Sequence, residues 1–165
     1  MFRVHSIASA SLFIVKRPRG GSRLTESMEA IRSAGIHRLV SLLMPDEEDF
    51  HDLKAEADVW RSFGLEYLSV PVQDLGVPDD EMVFVDAVAK VVRGLIAGES
   101  AGVHCRQSIG RSGVFASAVL VALGMSPRDA FATTATARGF DLPLTEQQGQ
   151  WLEDAAPRIA PIGRA

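Results

Sequence analysis

His104-Cys105-Arg106-Gln107-Ser108-Ile109-Gly110-Arg111-Ser112-Gly113 places the only cysteine of the chain between an apolar strand, Ala101 to Val103, and an apolar helix, Val114 to Leu123. The joint itself carries chemistry. The first N–H groups of a helix have no partner within it and lie at the positive end of its dipole, so a thiol there gives up its proton readily and an anion docks beside it. A free thiol titrates near ~8.5, and helix N-termini with cationic neighbours bring it down to roughly 3.5 to 7.5, low enough for a nucleophile at neutral pH. Arg111 ends the same loop. Its planar fork can hold two oxygens of a phosphate while the five intervening amides, of Arg106, Gln107, Ser108, Ile109 and Gly110, wrap the anion. A lone cysteine is more often a small core residue. Here the His-Cys start, the Gly-Arg-Ser-Gly finish and the apolar elements on both sides favour the reactive reading.

Outward from this joint the pattern alternates. Two short strands, Phe2 to Ile7 and Ser11 to Lys16, end at the turn Arg17-Pro18-Arg19-Gly20-Gly21, whose basic residues read as a solvated loop. A helix through Leu24 to Ala34 stops at Gly35, and a buried strand follows through Ile36 to Leu43. Pro45 to Glu48 opens an acidic helix expected to run to about Phe63, before strand Leu65 to Val70. Met82 to Ile96 is a long helix, Ala101 to His104 the central strand, and Gly110 to Gly124 the helix after the cysteine loop. Ser126-Pro127-Arg128-Asp129 caps a helix to about Arg138, and Thr145-Glu146 starts the last one. Strands separated by helices predict an α/β fold: a single domain over 1–156 with a mostly parallel central sheet of four to five strands, helices on both faces, and a C-terminal tail at 157–165. In such sheets ligands bind beyond the carboxyl ends of the strands, where Cys105 falls.

The Cys-x5-Arg-Ser loop with its preceding His resembles the signature of the cysteine-dependent protein tyrosine phosphatase superfamily, and the short chain is similar to its dual-specificity branch. The resemblance implies that Cys105 attacks phosphorus to form a phosphocysteine, and that Arg111 binds the phosphoryl group and stabilises its transition state. It implies further that Ser112 hydrogen-bonds the thiolate and that His104 orients the loop from behind. Many relatives carry Gly where Ser108 stands, so Ser108 narrows the loop or adds a hydroxyl donor. Gln107 and Ile109 are not basic, which weighs against an inositol phosphate substrate.

Transfer from an alcohol or phenol also needs a proton for the leaving oxygen. Asp74 is the candidate. It lies in Val70-Pro71-Val72-Gln73-Asp74-Leu75-Gly76-Val77-Pro78-Asp79-Asp80, and the family's general-acid loop is similar in placement and in its Pro-x-x-Asp-x-Gly-x-Pro pattern. Asp79 and Asp80 compete, but acids just after Pro78 are explained by N-capping; Asp74 itself could form an Asx turn beside Gly76. Thr145-Glu146-Gln147-Gln148-Gly149-Gln150-Trp151 resembles the segment that brings a water-positioning glutamine to the site in some relatives, which selects Gln148; Gln147, Gln148 and Gln150 could equally be the polar face of the last helix. Arg138 precedes Gly139 and reads as a complement to the negative end of its helix, ahead of a second phosphate contact. Arg106 lies inside the loop, and its side chain reaches the rim to attract an acidic substrate.

Composition bounds the rest. At 165 residues and 47% hydrophobic residues the chain buries one sizeable core, and its net charge of −4 leaves no basic footprint for bulk nucleic-acid binding. His5, His37 and His51 sit in unrelated segments, so neither a metal nor a cofactor is expected. One thiol fits a reducing cytoplasm, and a monomer without a membrane span is expected. Together these readings imply a phosphomonoester hydrolase of the dual-specificity type, acting on phosphorylated Ser, Thr and Tyr in proteins. The alternatives are a phosphorylated small molecule, lipid or RNA end as substrate, or a non-catalytic phosphate-binding module.

Overall fold

The computed structural model describes residues 1–7 and 9–159. Its centre is β5 (Ala101–His104), buried along its whole length and paired in parallel with β2 (Ala10–Ile14) on one side and β3 (Arg38–Ser41) on the other. The β4 strand (Glu66–Ser69) adds in parallel to β3, and β1 (Phe2–Ile7) adds antiparallel to β2, completing a five-stranded sheet in the order β1-β2-β5-β3-β4. The α/β architecture expected above is the one observed. Because the four inner and edge strands β2 to β5 run the same way, the segments that follow them gather at one edge, and Cys105 leaves the middle of it.

Alternation of side chains along each strand divides the core. Leu12, Ile14 and Val40 face α4 (Glu81–Ile96), α5 (Gly110–Ala122), α6 (Pro127–Arg138) and α7 (Glu146–Ile159). Val15 and Leu39 face the other way, onto α1 (Leu24–Ser33) and α3 (Glu56–Ser62), where Met28 and Trp60 are fully buried. The apolar run Val114 to Leu123 becomes α5, all thirteen of whose residues are buried, because it packs against α4, α6 and α7 as well as the sheet. Phe115 meets Phe84 edge-on at 5.1 Å between ring centroids, and Phe84 meets Trp151 at 4.9 Å; burial stabilises each of the two phenylalanines by roughly 1.5–3 kcal/mol.

One expectation needs correction. The single helix anticipated from Pro45 to about Phe63 is two, α2 (Pro45–Phe50) and α3, with the chain turning at Asp52 in a left-handed conformation, φ 53°. Burial decides it: the turn drops Leu53 into the Met28–Trp60 cluster and frees the carbonyl of Asp52 to accept the Gly21 N–H at 3.0 Å. Gly20 lies so close to this turn that a Cβ on it would stand 1.9 Å from the His51 carbonyl oxygen. At the other end, α7 continues through Pro157 to the buried Ile159, into the stretch read as tail; residues 160–165 lie outside the described residues. Among the described residues no helix is long and apolar enough to cross a membrane.

Candidate active site

The loop from Cys105 to Ile109 joins the buried end of β5 to the first turn of α5. Among the described residues, the amides of Arg106, Gln107, Ser108 and Ile109 donate to no internal acceptor. Cys105 is 3% exposed, and its Sγ lies 3.6 Å from Ser112 Oγ, close enough for the hydroxyl to donate to a thiolate. Ser108, at the position many relatives fill with Gly, has φ 55°, a left-handed conformation that costs a side-chain-bearing residue roughly 1–2 kcal/mol. Its hydroxyl is buried without a partner among the described residues. Arg106 and Gln107 are exposed at the rim, Ile109 is half-buried, and Gly110 begins α5.

Arg111 is buried yet fully engaged on one edge. Its Nη1 donates to Glu47 Oε2 at 2.6 Å, to the Val72 carbonyl at 2.8 Å and to the Leu42 carbonyl at 3.3 Å, and Nη2 donates to Glu47 Oε1 at 2.8 Å. Burial works against the charge of this guanidinium, but the hydrogen bonds to Glu47, with the charges of Cys105 and Asp74, hold its pKa above the ordinary arginine value. Glu47 is the mirror case: burial pushes it up, and Arg111 together with the Met44 N–H pulls it below the ordinary carboxylate range. Arg111 Nε, on the remaining edge, is buried without a partner among the described residues. Glu47 was legible only as a helix-start acid. It does occupy that position, accepting the Met44 N–H at 3.0 Å as a capping box, and the same carboxylate reaches 64 residues along the chain to orient Arg111.

Asp74 is brought to this cluster. Its Oδ1 lies 3.2 Å from Arg111 Nη2, its Oδ2 3.8 Å from Arg106 Nη1, and its side chain is half exposed. It also accepts the Leu75 N–H at 3.2 Å, whereas the Gly76 N–H, which an Asx turn would direct to Asp74, donates instead to the Gln73 carbonyl at 3.0 Å. Asp80 is the N-cap of α4, accepting the Val83 N–H at 3.0 Å, and Asp79 is exposed beside it. The Asp74 loop is fastened from α7: Gln148, fully buried, donates from Nε2 to the Gly76 carbonyl at 3.2 Å and accepts the Leu144 N–H at 3.2 Å, while Thr145 Oγ1 donates to the Leu75 carbonyl at 3.4 Å. Gln147 and Gln150 are exposed.

Behind the loop, His104 Nε2 stands 2.7 Å from Glu56 Oε1 in full burial, though neither ring nitrogen is aligned for a hydrogen bond among the described residues. Burial and the neighbouring Glu56 charge push the Tyr67 hydroxyl well above its ordinary range, so it stays neutral. The sequence pointed to none of Glu47, Glu56 or Arg17 in this role. Arg17, read as a solvated turn residue, donates from Nε to the Arg106 carbonyl at 3.3 Å, and Arg138 donates from Nε to the Ser108 carbonyl at 2.5 Å. His37 accepts the Ser100 N–H far from the loop, and among the described residues no group of three or more His, Cys, Asp or Glu side chains is placed to hold a metal ion.

A cavity of about 360 Å³ adjoins the loop, lined by Asp46, Glu47, Phe50, His51 and Arg106. Burial, with the charges of Arg17 and Arg106, presses the His51 pKa below its ordinary 6.5, so the imidazole is neutral at neutral pH.

Comparison with known proteins agrees with this geometry. A family model described as "Tc-R-P: Polymorphic toxin system, DSP-PTPase phosphatase" matches residues 14–125. No curated protein matches the chain. Among solved structures, kinase associated phosphatase with its catalytic cysteine replaced by serine is similar at TM-score 0.81 and 20% identity, covering 95% of this chain and 90% of that one. PTPMT1 in complex with PI(5)P matches at TM-score 0.67 and 18% identity, covering 89% and 92%, and human DUSP28 at 0.64 and 22%, covering 96% and 99%. These likenesses concern the fold. The family match spans more than half of the sequence, and the chain accordingly belongs to the DSP-PTPase phosphatase family, the cysteine-based phosphatases of the dual-specificity and protein-tyrosine-phosphatase superfamily.

Proposed function

We propose that the chain hydrolyses phosphomonoesters of proteins, phosphotyrosine together with phosphoserine and phosphothreonine, through a phosphocysteine at Cys105. The observation that carries this reading is the meeting of Cys105, Ser112, Arg111 and Asp74 at one loop mouth, with a carboxylate 3.2 Å from the guanidinium and a hydroxyl 3.6 Å from the sulfur. In the first step the sulfur attacks phosphorus, the bond to the leaving oxygen breaks, and that oxygen takes a proton from Asp74. In the second, water attacks phosphorus, returns a proton to Asp74, and the thiolate leaves with a hydrogen bond from Ser112. Arg111 and the loop amides hold the equatorial oxygens throughout. Gln148 serves by holding the Asp74 loop, since both ends of its amide are committed to backbone groups.

The cavity beside the loop supports an aryl leaving group: Phe50 is 82% exposed and the neutral His51 meets it edge-on at 4.9 Å. A non-protein phosphomonoester is the second reading, favoured by the structural likeness to a protein solved with PI(5)P and opposed by the uncharged Gln107 and Ile109. A cytoplasmic location is proposed on the strength of the single free thiol. The test is turnover of nitrophenyl phosphate and of phosphoserine and phosphotyrosine peptides. Cys105→Ser is expected to abolish all of it, and Asp74→Asn to lower the rate on alkyl phosphates by about 100-fold or more. No turnover by the wild-type chain from about pH 5 to 8 would overturn the proposal.

A further inference from the structure

The oxygens of three successive loop carbonyls are held from outside the loop by two arginines. Arg17 Nε donates to Arg106 at 3.3 Å, Arg138 Nη2 donates to Gln107 at 3.4 Å, and Arg138 Nε donates to Ser108 at 2.5 Å. In a planar trans peptide the C=O and the following N–H point in opposite directions. Drawing the carbonyls of Arg106, Gln107 and Ser108 outward therefore turns the N–H groups of Gln107, Ser108 and Ile109 inward, which is what an anion in the loop requires. Ser108 also sits in the left-handed region, where an L-residue stays only if its surroundings hold it there.

Arg138 is itself held. Its guanidinium lies 4.2 Å from the Phe2 ring centroid and 4.8 Å from that of Phe140. Phe2 belongs to β1, where it pairs with Ile14, and Phe140 follows Gly139, whose left-handed φ of 75° ends α6. Burial lowers the Arg138 pKa and the charge of Cys105 opposes that, consistent with a guanidinium within reach of the sulfur's field. Compensation of the α6 dipole, the plainer role for this residue, needs neither the aromatic clamp nor the two carbonyl contacts.

We propose that Arg138 is a positioning residue that holds the Cys105 loop in its anion-binding form, assisted by Arg17, and that strand β1 takes part through Phe2. The proposal rests on the phosphatase reading for its kinetic consequence but not for its binding test. Inorganic phosphate binding, measured by calorimetry on the Cys105→Ser chain, needs no turnover. Arg138→Met is expected to weaken phosphate binding and to lower kcat/KM on nitrophenyl phosphate by about 100-fold, the cost of a misplaced reacting geometry. Free guanidinium ion should restore part of the activity, and Arg138→Lys should not substitute, because an ammonium has neither the fork of two nitrogens that reaches both carbonyls nor the planar face that stacks on Phe2 and Phe140. Phe2→Ala and Arg17→Gln are expected to move both readouts in the same direction by less, and they keep the test open should Arg138→Met fail to fold. Phosphate affinity and kcat/KM within twofold of wild type (roughly the scatter of such measurements), with only a lower melting temperature, would overturn the proposal. Wild-type chain that binds phosphate but turns nothing over would sink the proposed function and leave this inference standing.

Discussion

At the scale of single residues, the site depends on side chains that each have two jobs, one local and one remote. Glu47 caps α2 and fixes Arg111; Gln148 sits on α7 and fixes the Asp74 loop. The local job is all that a sequence displays, which is why Glu47 reads as a helix-start acid and Arg138 as a helix-end base. Cys105, Arg111 and Ser112 were legible because their chemistry lies within one contiguous loop. Glu47→Gln should leave Arg111 buried with a weaker partner, and kcat/KM is expected to fall about 100-fold as the guanidinium loses its orientation. The same pair sets a pH dependence. The folded carboxyl titrates below its ordinary value of 4.5, so its stabilising contribution is complete above that pH and is lost as the pH falls through the lowered value. Urea unfolding followed downward from pH 6 (about 1.5 units above the ordinary carboxyl value) should therefore show a steeper acid loss in wild type than in Glu47→Gln. Ser108→Gly should raise stability by about 1 kcal/mol, since it relieves the left-handed backbone and removes an unpaired buried hydroxyl.

At the scale of elements, capping and periodicity were readable and long-range packing was not. Ser126 caps α6 by accepting the Asp129 N–H at 3.1 Å, and Asp80 caps α4, both as the sequence signals. The break between α2 and α3 carries no Gly or Pro to announce it. It exists because Leu53 is worth more inside the Trp60 cluster than on a continued helix, and because the Gly20–Gly21 turn packs against the carbonyls it exposes. Asp80→Ala separates the cap from the proposed acid, Asp74: stability should drop by about 1 kcal/mol in urea unfolding, while turnover of an alkyl phosphate stays near wild type. A loss of turnover comparable to that of Asp74→Asn would move the acid role to Asp80.

At the scale of the whole molecule, the sheet places α5 in the centre of the larger core and Cys105 at its head. That arrangement ties the site's geometry to global stability. Phe115 is fully buried against Phe84, so Phe115→Ala is expected to cost roughly 3–5 kcal/mol, a large share of the stability of a domain this size, and to be read as an early urea midpoint. The α/β class and the place of the cysteine at the strand ends were legible because parallel strands and helices alternate in the sequence; the partners that fasten the loop and its arginine come from the turn after β2, from α2 and from α6, which only the fold brings together. The proposed function requires a covalent phosphocysteine at Cys105. In Asp74→Asn, nitrophenyl phosphate still loads the enzyme because its leaving group needs no proton, whereas water attack loses its base. Acid quench and mass spectrometry should then find one phosphoryl group on the peptide that contains Cys105. Turnover with no such adduct at any time point, or a phosphoryl group on any other residue, would contradict the account.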